Sequence, residues 1–344
     1  MDSNLEAVVS NAVGIYSTNP TAHLSALARL PKFRISDLDS SIAERRLIRA
    51  RTMRYSVYTS PPELLRLSVS ATRGLAMKVN PWRKRLADSY DDLASAVEAA
   101  LGAGPLAGAD IRKIVDPDKE LGDLFSVLLG LMGAETRIVR ATNTGGWRSN
   151  RLTYARWADW LGDEPLPETA AAQVELAKRY VAAYGPVTEA DLRWWTGWTA
   201  KESKTAAGEV DLNQAGNASA DLDGLRLLPV WDVLMVAYQD RSRLFAENLA
   251  PFIYDRFGNA TSVVYDRGSI VGIWDLGKSD DPLHIHVAPL TKWSKRRRKE
   301  LDAQAHRIAM MIGSTDVQVT EVEDPVDLTK SKRHKFLAPL TGST

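Results

Sequence analysis

The chain contains no cysteine in 344 residues. That excludes a disulfide framework, thiolate zinc sites and thiol catalysis, and it fits a reducing cytoplasm. An excess of one charge sign is also missing. The 44 basic and 43 acidic residues leave a formal charge of +1, so composition alone does not announce a nucleic-acid binder. No apolar run approaches the roughly 20 residues that span a bilayer. The start carries Asp2 and Glu6 rather than a basic leader, so neither a membrane span nor a secretory signal is expected. There is no Walker loop, dinucleotide fingerprint or Ser-His-Asp set. His284 and His286 alternate onto one strand face without a third ligand nearby, so no metal and no cofactor is expected.

What is present is an ordinary globular composition, 44% hydrophobic and 25% charged, in a chain long enough for two or three domains. The charge is unevenly spread. Residues 45 to 54, "RRLIRARTMR", hold five arginines and no acid, among them Arg49, Arg51 and Arg54. Residues 136 to 156 hold five more, among them Arg140, Arg148 and Arg151, again without an acid. A third run, "KWSKRRRK", includes Lys295, Arg296 and Arg297. One such run is commonly a solvated face; three of them form a DNA-binding surface if the fold gathers them. Arg49 and Arg51, two apart on a strand-like segment, share a face and are expected to meet phosphates.

Three segments share a pattern: "RISDLDSSI" from Arg34, "PLAGADIRKI" from Pro105 and "PVTEADLRWW" from Pro186. Each places an acidic or hydroxyl helix start ahead of apolar residues at helical spacing. In the third, Gly185 and Pro186 stop one helix. Thr188 with Asp191 forms a capping box for the next, Gly197 ends it, and Thr199 caps another. This is a helix-turn-helix pattern. In the second, "ETRIVRA" and "RLTYARW" flank the turn "NTGG" as a hairpin, a wing, with Trp147 near its tip as a candidate wedge between base steps. In the first, Ser36 is the expected cap, and "IRARTMRYSVYT" reads as strand. The aromatic run "RWWTGW" reads as core. We therefore expect a mostly helical α+β protein. Winged-helix units are expected at 1–80, 81–165 and 166–245, with a small C-terminal α+β tail over 246–344 carrying a basic helix.

"ALARLPKFRISDLD", "RTMRYSVYTSPPEL", "YGPVTEADLRWWTG" and "LLPVWDVLMVAYQDRSRLF" together resemble the winged-helix DNA glycosylases of the AlkZ/YcaQ type, over about residues 8 to 275. The resemblance implies three winged helices in a C-shaped arrangement whose concave face holds double-stranded DNA. It also implies excision of bulky alkylated purines or unhooking of cross-links in DNA repair. Three winged helices in one chain need no dimer to hold one site, so a monomer is expected. The family's catalytic pair, Gln-x-Gln or Gln-x-Asp, follows an apolar "Gly-Leu". Here the place is "GIYST", with Tyr16 and Thr18 at the two polar positions, and the motif is not retained. Asn19 carries an amide one residue further on. It is either a substitute for the missing pair or, followed by Pro20, a helix cap. Arg241 and Arg243 in "YQDRSR" are candidate DNA contacts or partners of Asp240. Two functions stay open: a DNA glycosylase, and a non-catalytic DNA-binding protein acting as lesion sensor or regulator.

Overall fold

The structure is a computed structural model that describes residues 4–78, 84–86, 88–217, 222–255, 258–325 and 328. The end of the expected tail, beyond 328, lies outside the described residues. The fold is mixed α+β. No helix among the described residues is long and apolar enough to cross a membrane.

One order of elements occurs twice. It runs first through α1 (Leu5–Asn11), β1 (Ile15–Tyr16), α2 (Thr21–Arg29), α3 (Ile35–Ala43), β2 (Ile48–Arg51) and β3 (Val57–Ser60). The long α4 (Pro62–Lys78) then leads into α5 (Tyr90–Ala100), β4 (Leu106–Ala107), α6 (Gly108–Val115), α7 (Leu124–Ala134), β5 (Ile138–Asn143) and β6 (Leu152–Arg156). In each copy the short first strand pairs antiparallel with the third, and the second and third form a hairpin. The two copies fuse edge to edge, because β2 pairs with β5 through Arg49 and Arg140. One six-stranded sheet results, in the order β1-β3-β2-β5-β6-β4.

After α8 (Trp157–Leu161) come α9 (Thr169–Tyr184), α10 (Glu189–Thr196) and α11 (Ala200–Ala207). Their local signals act as the sequence indicates. Thr188 and Asp191 form a capping box, as do Thr199 and Glu202. Gly197 ends α10 in the left-handed region at φ 81°, where a side chain is disfavoured. The first copy departs from expectation at its third helix: α3 begins after Arg34, whose backbone N–H donates to Asp37, and Ser36 lies inside the first turn.

Among the described residues the third helical set is followed by a single strand, whose antiparallel partner comes from beyond residue 260. Its strand β7 (Leu225–Leu228) is the edge of a second sheet, β11-β10-β9-β8-β7. Between β7 and the next strand lie α12 (Val233–Val236) and α13 (Ala250–Ile253). The rest of the sheet is β8 (Val263–Asp266), β9 (Ser269–Asp280), β10 (Leu283–Pro289) and β11 (Val317–Glu321), with α14 (Lys295–Ile312) packed on it. The third and fourth expected segments thus share a sheet. The main core runs from Val8 and Ile15 through Tyr180 and Trp195 to Trp274 and Ile285. The second copy keeps a core of its own around Val97, Leu128 and Met132.

Two family-like blocks meet inside the molecule. Arg29, from "ALARL", lies in a bidentate pair with Asp232, from "LLPVWD", at 2.8 and 2.7 Å, and Ser25 donates to the same carboxylate at 2.7 Å. Both side chains are buried. Burial alone would raise the Asp232 pKa, but the charge and hydrogen bonds of Arg29, helped by Ser25 and the Leu234 N–H, hold it below the usual carboxylate range.

Candidate nucleic-acid interface

The segment "GIYST" is the short edge strand β1 and the turn after it. Gly14 sits at φ +90°, and a Cβ there would lie 2.7 Å from Ser60 Oγ, so the tight entry requires glycine. Strand alternation then decides which side chains emerge. Tyr16 and Thr18 are half-exposed on one side; Ser17 and Asn19 turn inward. Ser17 accepts from Thr59 Oγ1 at 3.0 Å. Tyr16 packs against Tyr58 and Trp231, with ring centroids 5.6 and 5.4 Å away.

Tyr16 and Thr18 line a cleft of about 690 Å³. Its walls come from both copies: Arg51, Tyr55 and Ser56 from the first hairpin, and Arg140, Thr144, Asn150, Arg151 and Tyr154 from the second. The fused sheet is what brings two arginine runs, about 90 residues apart, to one place. No carboxylate or imidazole is among the lining residues. Arg51 donates to the Tyr55 carbonyl at 2.9 Å and lies 4.6 Å from the Tyr55 ring centre. Burial, reinforced by the Arg51 charge and opposed by Tyr154, lowers the Arg140 pKa; a guanidinium remains charged at neutral pH regardless. The cleft therefore presents three cations, hydroxyls and aromatic faces, which is chemistry for a phosphate and a base rather than for proton abstraction.

Three expectations are corrected. Arg49 is 0% exposed and lies at the seam where β2 meets β5. Its Nη1 donates to the Ala141 carbonyl at 3.3 Å, and burial pushes its pKa down to about 10. It shares a strand face with Arg51, but the second hairpin covers it, so it is no phosphate contact. Trp147 is 8% exposed and is not a free wedge. Its Nε1 donates to Asp280 Oδ2 at 3.0 Å, while Arg148 donates to Asp280 Oδ1 at 2.7 Å and to the Gly277 carbonyl at 2.6 Å. The hairpin tip is thus pinned to β9, and Arg148 is spent in doing so. Asn19 is 5% exposed and caps nothing, since Pro20 occupies the N-cap of α2. Asn19 N–H donates to Asn150 Oδ1 at 2.8 Å, Asn150 Nδ2 to the Asn19 carbonyl at 3.2 Å, and Asn19 Nδ2 to the Ser149 carbonyl at 3.0 Å. The residue clamps the second hairpin against the motif and lies behind the cleft.

Asp280→Ala is expected to release the hairpin tip. Trp147 emission should shift to the red, and the melting midpoint should fall by the equivalent of about 1 kcal/mol, since a half-exposed carboxylate loses two hydrogen bonds. An unchanged emission spectrum would show that the tip is held elsewhere.

The remaining candidates lie apart. Arg54 and Arg241 flank Trp194, 4.0 and 5.1 Å from its ring centre; Arg54 and Trp194 line a second cleft, and Arg241 is not in its lining. The aromatic run is thus core at Trp195 and Trp198 but not at Trp194. Arg243 donates to the Pro186 carbonyl. Asp240 accepts from Ser242 N–H at 3.0 Å and Oγ at 2.7 Å. On α14, Arg297 pairs with Asp266 at 2.8 Å and Arg296 lies 3.7 Å from Glu300. Lys295 is exposed beside them. These three line neither cleft. Sequence reasoning did not single out Tyr55, Asn150, Tyr154 and Trp231, although Asn150 and Tyr154 lie inside the second arginine run and Tyr55 and Trp231 inside two of the blocks that carry the resemblance. No group of three metal-ligating side chains occurs among the described residues.

Residues 9–311 match the family described as DNA glycosylase AlkZ-like. Among solved structures, Streptomyces sahachiroi DNA glycosylase AlkZ has the same fold, with a TM-score of 0.73, 19% identity and 94% of each chain covered. No curated protein sequence matches the chain. The family match covers most of the chain, and by it the protein belongs to the AlkZ-like DNA glycosylase family.

Proposed function

We propose that the protein is a winged-helix, monomeric binder of duplex DNA in repair, in which rapid base excision has been lost. The reading takes the two repeated α-β-α-α-β-β sets and the α9–α11 set as three winged helices. It takes the cleft at Tyr16 and Thr18 as the place of an extruded, alkylated or cross-linked base. The cleft's lining carries the proposal: three arginines and no carboxylate or imidazole. Arginines attract phosphates irrespective of sequence. A purine alkylated at N7 already carries positive charge, so its release needs no general acid, only a placed water and stabilisation of an oxocarbenium-like transition state. Neither a cationic base nor an oxocarbenium gains from three guanidinium groups. Hydroxyls at 16 and 18 hold a water but hardly polarise it.

DNA binding is tested by Arg51→Ala and Arg151→Ala. Each should weaken duplex binding about equally across sequences and flatten the log–log salt dependence by about 1. Binding by the native chain that ignores salt would overturn the reading.

A second reading, a working glycosylase, is favoured by one observation: the Asn150 amide lies in the cleft wall. Its bonds to Asn19 leave one N–H and one lone pair for a water. Single-turnover release of 7-methylguanine by the native chain, abolished in Asn150→Ala, would establish that reading over the first.

A further inference from the structure

The turn that closes the first hairpin separates two clefts. Arg54 and Tyr55, consecutive and neither of them glycine, both sit at positive φ, 52° and 58°. That backbone is costly for such residues and persists only where surroundings enforce it. Its effect here is to send neighbouring side chains to opposite places. Tyr55 lines the cleft at Tyr16, and Arg54 lines a second cleft of about 800 Å³ against α10.

The second cleft is bounded by Arg54, Glu189, Arg193, Trp194, Trp198 and Gln239. Gly197 lets α10 approach the turn closely, since a Cβ there would stand 3.3 Å from the Arg54 Cα. Trp194 is flanked by Arg54 and by Arg241, and Arg241 also lies 3.8 Å from the Tyr254 ring centre. Arg54 and Arg241 are close enough that, after burial, the Arg54 charge is among the causes lowering the Arg241 pKa. Arg193 is exposed on the same rim, and the single acid of the lining is Glu189. The Trp194 Nε1–H is buried and has no acceptor among the described residues. Arginines gathered beside an aromatic face, with Glu189 the one acid of the lining and Asp255 acting on Arg241 from outside it, are chemistry for an anion.

We infer that this second cleft is a phosphate site, formed by Arg54 and Arg193 around Trp194 with Arg241 adding its charge beside that ring, and that its phosphate is a backbone diester of the same DNA whose base enters the first cleft. The inference rests on the DNA-binding reading above. The shared turn supplies the continuity, because a strand passing Tyr55 reaches Arg54 one residue on. The site would grip the backbone beside the extruded nucleotide and so hold the duplex open.

The experiment compares duplex binding by the native chain, Arg54→Gln, Arg193→Gln and Glu189→Gln as salt is varied. Each arginine replacement should flatten the log–log slope by about 1. Glu189→Gln removes the opposing acid and should tighten binding several-fold, a gain that misfolding does not produce. Replacing single phosphates of the duplex by neutral methylphosphonates should weaken native binding at one or two positions and leave Arg54→Gln indifferent there. A calorimetric titration with pyrophosphate gives the other source of the same chemistry. Pyrophosphate binding that Arg54→Gln abolishes, with DNA slopes unchanged, would overturn the backbone assignment in favour of a free phosphate ester. Slopes sensitive to Arg51 and Arg151 but not to Arg54, Arg193 or Glu189 would overturn this inference alone. No duplex binding by the native chain at low salt would overturn the DNA-binding reading and this inference with it.

Discussion

Asp232→Ala is expected to destabilise the protein by about 3–5 kcal/mol, enough to unfold much of the population at physiological temperature. The substitution removes the carboxylate against which the Arg29 guanidinium is buried, and the donation of Nη1 to the Ser25 carbonyl at 3.1 Å supplies no opposing charge, so the loss exceeds that of one attraction. The pair joins α2 to the loop before α12, and that loop also presents Trp231 to Tyr16, so the cleft should loosen as the fold weakens. Asp232→Asn should fare little better, because the amide keeps the shape but not the charge. Chemical denaturation read by circular dichroism checks both. The pH dependence has a definite sign. The folded Asp232 pKa is lowered, so the pair contributes fully above the unfolded aspartate value of about 3.9. The contribution is lost as pH falls through the lower folded value. A variant only mildly destabilised at pH 7 would show that the site relaxes or admits water.

The second large effect concerns the motif. Tyr16→Gln with Thr18→Gln is expected to raise single-turnover release of 7-methylguanine from duplex DNA by about 100-fold, the lower end of what a positioned proton-transfer group contributes. Both side chains already emerge into the cleft, so the amides would arrive where a water can bridge them to the sugar. Removing the Tyr16 ring from its contacts with Tyr58 and Trp231 should lower stability by about 2 kcal/mol, and the assay must be run below the variant's melting range. Release only by the double variant would fit a lost enzyme on a retained scaffold. Brisk release by the native chain would sink the proposal that excision has been lost. No release by either protein, with DNA still bound, would show that the cleft itself no longer fits the chemistry.

The features that could be read from the sequence were the ones that close within a few residues. The capping box at Thr188 and the cap at Thr199 need only neighbours within three positions, whereas Tyr16 and Thr18 stood out only through the resemblance, with no strand expected there. Arg51, Arg140 and Arg151 were visible as members of acid-free runs. The misplaced residues are those whose environment comes from far along the chain. Arg49 looks like Arg51 until β5 arrives from 90 residues away to cover it. Trp147 looks like a bare hairpin tip because its acceptor, Asp280, is 133 residues distant. Asn19 before Pro20 is a good helix start by local rules, and the clamp to Asn150, 131 residues on, outcompetes them. Trp194 sits in an aromatic run that helical spacing assigns to core, yet Arg54 and Arg241 reach it from either side in sequence.

The edge-to-edge joining of the first two copies bears on how such a chain can change over time. In repeat arrays whose units merely stack, a unit can be gained or lost because its neighbour keeps a complete backbone of its own. Here neither of the first two copies is interchangeable in that way. Deleting either one would bare the β2 or β5 edge to solvent, inviting pairing with another chain, and would strip one wall from the cleft. The two copies are therefore bound to be inherited together, and variation is left to the loops and side chains along the seam's open face.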